Sequence, residues 1–296
     1  MRFGVREICN VVFKAAATRT IGTKTFAKGE PVLYFDSLKT SNMEQAVTTV
    51  YAQGGRGNSR LIAWDGEKNL TFTMEDALIS ERGLAILASA RLWEADSTAN
   101  NTLLVHVSEV TPNLHVTKAP ADKTNKGIAF YALEMNDNGD VVGEPIAVNI
   151  DDEIDAEKGG YEVSAVGSTA LAENKVYLVD YYTAVASGAT QIDIEPSSFG
   201  GNFYIEADTL FRDTAGVDHA AQFVIPNGKI QSNFTLTMAS SGDPSTFTFT
   251  VDAFPGYVNG DYTKKVLSAI QIMSAEDPVT VNDPAGDLED SIVLGN

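Results

Sequence analysis

Cysteine and long apolar runs are nearly missing from this chain. Cys9 is the only cysteine among 296 residues, so no disulfide can form within the chain. That composition suits a cytoplasmic assembly compartment. The apolar stretch at residues 8–13 is six residues long and contains Asn10, which is too short for a signal-peptide core or a membrane span. No 18-residue apolar run occurs, and we therefore expect a soluble protein.

Basic residues are also scarce. The chain has 21 Lys and Arg against 40 Asp and Glu, for a net charge of −19. Such a surface repels nucleic acid, which excludes DNA binding by phosphate neutralisation but leaves open DNA that passes without sticking. Hydrophobic residues make up 44% of the chain, enough to build a substantial core.

The two ends of the sequence carry opposite charge. Against Glu7 and Glu30, the first 30 residues contain six basic residues: Arg2, Arg6, Lys14, Arg19, Lys24 and Lys28. The last 21 residues contain six acids and no base: Glu276, Asp277, Asp283, Asp287, Glu289 and Asp290. This pattern indicates a solvated acidic tail or, alternatively, head-to-tail attraction between copies of the chain.

Signatures of enzyme and metal chemistry are missing. The three histidines, His106, His115 and His219, lie at no metal-ligand spacing, and no Gly-x-Ser-x-Gly elbow occurs. The glycine-rich residues 54–59 lack the Lys-Ser/Thr ending of a phosphate loop. We therefore predict a protein with no catalytic residue, no cofactor and no metal site, and thus not an enzyme.

A partial calcium-loop pattern also fails. In Asn136-Asp137-Asn138-Gly139-Asp140 the glycine is placed as a calcium loop requires, but Pro145 stands where a bidentate Glu is needed. A hairpin turn explains these residues better. The tryptophans, Trp64 and Trp93, are interpreted as core residues rather than as a sugar-stacking platform.

Short alternating segments predict a mainly β fold. Residues 31–35 favour a strand, and residues 203–211 and 221–225 favour two strands on either side of the turn Asp213–Asp218, which contains Gly216. Residues 60–64 and 70–74 favour a hairpin turning at Asp65–Lys68, and residues 234–238 and 247–251 favour a second, with one apolar face and one threonine-lined face. Residues 41–51 predict a short helix, and residues 75–90 predict the best helix of the chain, covering a sheet. The fold class is an antiparallel β-sandwich or barrel with a flanking α-helix.

The middle of the chain differs in character. Between Glu134 and Lys158 there are nine acids and one base. We expect a discontinuous main β domain at residues 1–100 and 190–273, a small β-rich domain inserted at 101–189, and an acidic tail at 274–296.

Two stretches resemble a known family. One is Gly57–Gly66 running into Leu70–Ser80; the other runs from Arg212-Asp213 through Gln222–Ile230 and Phe234–Met238 to Gly242–Phe247. Together they are similar to tail tube subunits of long-tailed bacteriophages, over residues 30–95 and 200–257. Residues 101–190 resemble nothing recognisable.

The resemblance implies an assembly. It implies hexameric rings with a continuous inner β-barrel, stacked into a conduit for DNA ejection in the virion tail. It also implies tail sheath, tape measure, and baseplate or terminator proteins as partners. Two alternatives stay open: another virion protein, such as a sheath or head decoration protein, and a β-sandwich adhesin that binds carbohydrate.

Overall fold

The computed structural model describes residues 2–97, 101–123, 127–167, 170–198, 200–236, 238, 240 and 246–273. Within these residues strands dominate and a single α-helix occurs, which confirms the mainly antiparallel β fold predicted from the sequence. Contacts divide the chain into two compact units. Unit 1 comprises the residues up to Arg91 and those from Asp193 onward, and unit 2 is Leu92–Ile192.

The first part of unit 1 contains seven strands and the helix. They are β1 (Phe3–Val5), β2 (Asn10–Ala15), β3 (Arg19–Ile21), β4 (Lys24–Phe26), β5 (Pro31–Phe35), β6 (Leu38–Gly54), β7 (Ser59–Asp76) and α1 (Glu81–Leu87).

Unit 2 contains the next eight strands; the first begins one residue before the unit, and the last ends one residue after it. They are β8 (Arg91–Asp96), β9 (Leu103–Thr111), β10 (His115–Val116), β11 (Phe130–Met135), β12 (Val141–Asp155), β13 (Gly160–Ala165), β14 (Val176–Val185) and β15 (Ser187–Asp193).

The chain then returns to unit 1 for its last six described strands. They are β16 (Asn202–Asp213), β17 (Asp218–Ile230), β18 (Phe247–Ala253), β19 (Gly256–Val258), β20 (Asp261–Val266) and β21 (Ala269–Ile272).

A nine-stranded sheet organises unit 1 and curves into a half-barrel. Its strand order is β5-β2-β16-β17-β18-β7-β6, with β1 added beside β16 and β21 beside β17. Alternate residues of these strands are buried on one face, as a sheet with one covered face requires. Four phenylalanines from four strands meet in this core: Phe13 lies 5.4 Å from Phe35 and 5.6 Å from Phe203, and Phe35 lies 4.8 Å from Phe249.

The helix is shorter than the sequence predicted. Glu75 and Asp76 still belong to β7, where they pair with Thr248 and Phe247 of β18. The helix begins only after Ser80, whose hydroxyl accepts a hydrogen bond from the backbone N–H of Gly83 at 3.0 Å. Pairing with the sheet therefore overrides the helical periodicity of the preceding residues.

The helix predicted at residues 41–51 and the hairpin predicted at 60–74 are both wrong. Residues 38–54 form one long strand, β6, which pairs along its length with the equally long β7. The real turn is Gly55–Asn58, where Gly55, Gly57 and Asn58 have positive φ. The glycine-rich loop thus joins two strands, rather than a helix and a strand.

The second predicted hairpin is also wrong. The described residues of Phe234–Met238 form no strand, and Thr237 and the predicted turn beyond Ser240 lie outside the described residues. Instead, β18 pairs with β7 on one side and with Gly228–Ile230 of β17 on the other. The alternation within β18 is confirmed, since Phe249 and Val251 are fully buried while Thr248 is exposed.

Unit 2 is built on a six-stranded antiparallel sheet in the order β10-β13-β12-β11-β14-β9. One face of this sheet carries the core, which includes Phe130, Val148, Val163, Tyr177 and Tyr181. The turn of the β11–β12 hairpin is the predicted one: Asn136 Oδ1 accepts hydrogen bonds from the backbone N–H groups of Asn138 and Asp140 at 3.0 and 2.9 Å. The chain enters and leaves unit 2 through β8 and β15, which are hydrogen-bonded neighbours.

Candidate assembly surface

The outer half of the β6–β7 hairpin extends away from the core of unit 1. We call residues 46–69 the hairpin arm. Every β7 residue of the arm, from Ser59 to Asn69, is exposed, whereas Leu70, Phe72 and Met74 further along the same strand are buried. At about 3.3 Å per residue, the arm reaches roughly 30 Å. A two-stranded ribbon is only marginally stable alone in water. We therefore expect the arm to be stabilised by contact with another surface.

One face of the arm is apolar. Val50 pairs with Trp64 and Ala52 pairs with Ile62, and these two rows share a face because side chains alternate along a strand. A register shift after Ala52 brings Leu61 to the same face, where its side chain is 3.5 Å from the Cβ position of Gly54. Val50 and Leu61 are 64% and 66% exposed, and Ile62 and Trp64 are each 54% exposed. A contiguous exposed apolar patch of this kind marks an interaction site.

Polar contacts also hold the two strands of the arm together. The guanidinium of Arg60 lies 4.1 Å from the centre of the Tyr51 ring. Nearer the sheet, the hydroxyl of Thr48 accepts a hydrogen bond from the backbone N–H of Glu67 at 2.8 Å. Gly66 leaves room for that contact, since a Cβ there would lie 2.7 Å from Thr48 Oγ1. The predicted turn at Asp65–Lys68 is therefore a β-bulge in the middle of the arm.

The two ends of the nine-stranded sheet have free edges among the described residues. β5 ends one side of the sheet, and β6 ends the other. Pro31 stands first in β5, a position that an edge strand tolerates because proline donates no hydrogen bond. Edge strands offer unpaired N–H and C=O groups to a further strand, so both ends can accept another chain.

The face of the sheet opposite the core is small and polar where β7 and β18 meet. Thr73 pairs with Thr250, Thr71 with Asp252, and Glu75 with Thr248. The Asp252 carboxylate accepts hydrogen bonds from Gln231 Nε2 at 3.0 and 3.1 Å. We call this set of six residues on β7 and β18 the threonine face.

A further carboxylate is fixed at the β16–β17 turn. Backbone N–H groups of Val217 and Ala215 donate to Asp213, and His219 Nε2 lies 3.2 Å from its carboxylate. Val217 and then His219 hold the pKa of Asp213 below its usual value. Next to it, Arg212 forms a bidentate ion pair with Asp218, with both N–O distances 2.6 Å.

The histidines are scattered. His106 is exposed beside Asp180 on unit 2, whereas His115 and His219 are buried. His115 lies between the carbonyl of Asn113 and the carboxylate of Asp155, at 2.7 and 3.2 Å. In the described part of the chain, no group of three or more His, Cys, Asp or Glu residues could hold a metal ion.

Cys9 is buried in unit 1. Its backbone N–H donates to the Ser41 hydroxyl at 3.3 Å, and burial raises the pKa of its thiol. A protonated, enclosed thiol of this kind is a poor nucleophile.

No helix in the described residues combines the length and apolarity needed to cross a membrane.

Sequence reasoning missed the arm and misplaced Trp64 in a core, although it is 54% exposed. A usable signal was present in Val47-Thr48-Thr49-Val50-Tyr51, five consecutive residues that favour strands over helices. The threonine face was half found, since Thr248 and Thr250 were identified but assigned to the wrong hairpin.

Comparison with known proteins agrees with this arrangement. Among curated proteins, none matches the chain. The sequence model of the YomU/Tube protein family matches residues 16–265, which is most of the chain and includes the hairpin arm, the threonine face and unit 2. The chain therefore belongs to the YomU/Tube protein family and is a phage tail tube-type protein.

Proposed function

We propose that this chain is the subunit of a bacteriophage tail tube and assembles into stacked hexameric rings through which DNA leaves the virion. The hairpin arm carries the proposal, because its apolar face is exposed among the described residues and a second copy of the chain could cover it. Family membership points the same way, toward a structural virion component that forms an oligomer in the tail and has no enzymatic role.

Within a ring, the free edges of the sheet join neighbouring copies. The β6 edge of one copy pairs with the β5 edge of the next, so that half-barrels continue into one closed barrel. Closing the ring pairs both edges of the nine-stranded sheet, which removes the aggregation hazard of its open ends.

The threonine face lines the channel. Short hydroxyl side chains present no large apolar surface, and the carboxylates of Glu75 and Asp252 repel phosphate. Lys229 of β17 pairs with Asp252, and in the described strand pairing it is the basic residue next to the threonine face. DNA then slides through without specific binding, in keeping with the net charge of −19.

The hairpin arm joins one ring to another. Its reach of roughly 30 Å exceeds the width of several strands, so it can extend beyond its own subunit. Trp64 and Leu61 would bury their exposed side chains against a copy in the adjacent ring, and aromatic residues of this kind often dominate interface energies.

Unit 2 is an insertion into the tube domain, as the sequence suggested for residues 101–189. The neighbouring strands β8 and β15 let the chain leave and rejoin unit 1 at one place. Replacing residues 92–192 with a short flexible linker should therefore leave ring formation intact. Sheath, tape measure, and baseplate or terminator proteins are further partners, and assembly takes place in the host cytoplasm.

Negative-stain electron microscopy of the purified chain, with its solution mass, tests the proposal. We expect rings of six copies with a central channel, or stacked tubes of such rings. A chain that stays monomeric at high concentration, even when fragments of preformed tube are added as templates, would contradict the proposal. Rings with a different number of copies would support the tube proposal but contradict the proposed hexamer.

A further inference from the structure

A cleft of about 480 Å³ lies in unit 1 between β1 and the β16–β17 turn. Its apolar floor includes Phe3, Val5 and Leu210, and its rim carries Arg2, Arg6 and Arg212. Val5 is 61% exposed although it lies in a strand. The cleft thus brings apolar side chains and arginines together.

Three acids also line the cleft, but two of them are already satisfied. Asp218 is bound by Arg212, and Asp213 is bound by His219 and by backbone N–H groups. The third acid is Glu7, whose charge, after that of Asp218, raises the pKa of Arg212. Arg2 and Arg6 form no ion pair within the part of the chain that the structure describes. The lining as a whole carries three arginines and three acids, and Arg2 and Arg6 are the two arginines available to bind further carboxylates.

The described chain ends close to this cleft. The backbone N–H of Met273 donates to the carbonyl of Ala220 at 2.9 Å, and the Met273 carbonyl lies 3.4 Å from His219 Nδ1. The His219 ring in turn contacts Phe3 of the cleft, with ring centres 5.5 Å apart. From β21 across β17 and β16 to β1 the distance is three strand spacings, about 14 Å.

Residues 274–296 follow Met273, and their composition complements the cleft. They contain six acids and no base. Within them, residues 287–294 combine three carboxylates, Asp287, Glu289 and Asp290, with four apolar side chains, Leu288, Ile292, Val293 and Leu294. Thirteen residues lie between Met273 and Asp287 and can span more than 40 Å, well beyond the distance needed.

We propose that residues 274–296 dock into the cleft of their own subunit, with the carboxylates of residues 287–290 on Arg2 and Arg6 and the following apolar side chains against Val5 and Phe3. Attachment through Met273 favours the same subunit, because a short tether gives an effective concentration in the millimolar range. The inference concerns the single subunit and stands apart from ring formation.

Hydrogen–deuterium exchange of the full chain tests it, on dilute protein at low and at 1 M salt. At low salt we expect protection of residues 2–7 and of 287–294. The double variant Arg2→Glu/Arg6→Glu should speed exchange in 287–294 roughly tenfold, and so should high salt. The variant Lys28→Glu/Lys39→Glu makes the same change in net charge at exposed positions outside the cleft and should leave the protection unchanged.

A charge reversal completes the design. Adding Asp287→Arg and Glu289→Arg to the Arg2→Glu/Arg6→Glu chain should restore protection, since the opposite charges are exchanged. Unprotected exchange of 287–294 in the wild-type chain would overturn the proposal, as would protection that the arginine variant leaves intact. Protection that grows with protein concentration would place a second copy's segment in the cleft and overturn docking within one subunit. Electron microscopy reports ring formation independently of all these outcomes.

Discussion

Val50 faces Trp64 across the β6–β7 hairpin, and both side chains are more than half exposed. Cross-strand pairs of this type normally contribute to a core or to a covered sheet face. Here the pair lies on the hairpin arm, outside the core of unit 1. The exposure of this pair among the described residues supports the proposal that the arm contacts another copy of the chain.

Trp64→Asp and Leu61→Asp, made separately, should abolish association while leaving the subunit folded. Both side chains are exposed, so each change should alter the free energy of unfolding by less than about 1 kcal/mol. Sedimentation and thermal unfolding measure the two effects. Leu78→Asp serves as the control, because Leu78 is 70% exposed but lies outside the arm. Association that survives both arm variants would exclude the arm as an interface.

Phe249→Ala should destabilise unit 1 by about 3–5 kcal/mol, because it removes a fully buried ring that lies 4.8 Å from Phe35. The adjacent Thr248→Ala should cost less than about 1 kcal/mol, since Thr248 is exposed. Urea unfolding, with hydrogen exchange resolving unit 1 from unit 2, compares the two. Equal losses would show that the assigned faces of β18 are wrong.

Gly160→Ala should destabilise unit 2 more than Gly143→Ala. Both glycines have positive φ, at 138° and 79°, so both substitutions strain the backbone. Only at Gly160 would the new Cβ lie 2.8 Å from the carbonyl oxygen of Val116, whereas nothing lies within 4 Å at Gly143. We expect a difference of about 1–2 kcal/mol in the free energy of unfolding. Equal losses of stability in the two variants would indicate that β10 shifts to make room for the new methyl group at residue 160.

Acid should weaken unit 1 partly through Asp213. The folded-state pKa of Asp213 lies below the reference value of 3.8, so the unfolded chain takes up this proton at higher pH than the folded chain. The stabilisation is therefore present above pH 3.8 and is lost as pH falls through the folded pKa. Asp213→Asn should make the free energy of unfolding depend less steeply on pH in that window. If the free energy of unfolding of Asp213→Asn still falls with pH as steeply as that of the wild-type chain, this linkage is ruled out.

The sequence allowed much of the sheet to be predicted where local pattern and final pairing agree. Residues 31–35 were assigned to a strand with the bounds of β5, and the Asn136–Asp140 turn was found because its side-chain hydrogen bonds are local. The flanks of Gly216, now β16 and β17, were recognised for the same reason.

The failures share a physical cause, which is competition between local and distant interactions. The Asp65-Gly66 pair carries a turn signal, but the same residues suit a bulge, and only the partner strand β6 decides between them. Residues 75–79 have helical spacing, yet Glu75 and Asp76 gain more by pairing with β18. The arm escaped notice because its apolar residues are exposed, whereas apolar patterns within one chain are usually interpreted as belonging to a single core.

The burial of Cys9 also has a practical benefit. The chain has no other cysteine, and a thiol with a raised pKa stays protonated at neutral pH and reacts slowly with alkylating reagents. A cysteine introduced on the arm or beside the cleft would then be the one reactive thiol on the protein. Fluorophores and spin labels can therefore be placed singly on the native background, with no need to replace Cys9 and disturb the packing around it.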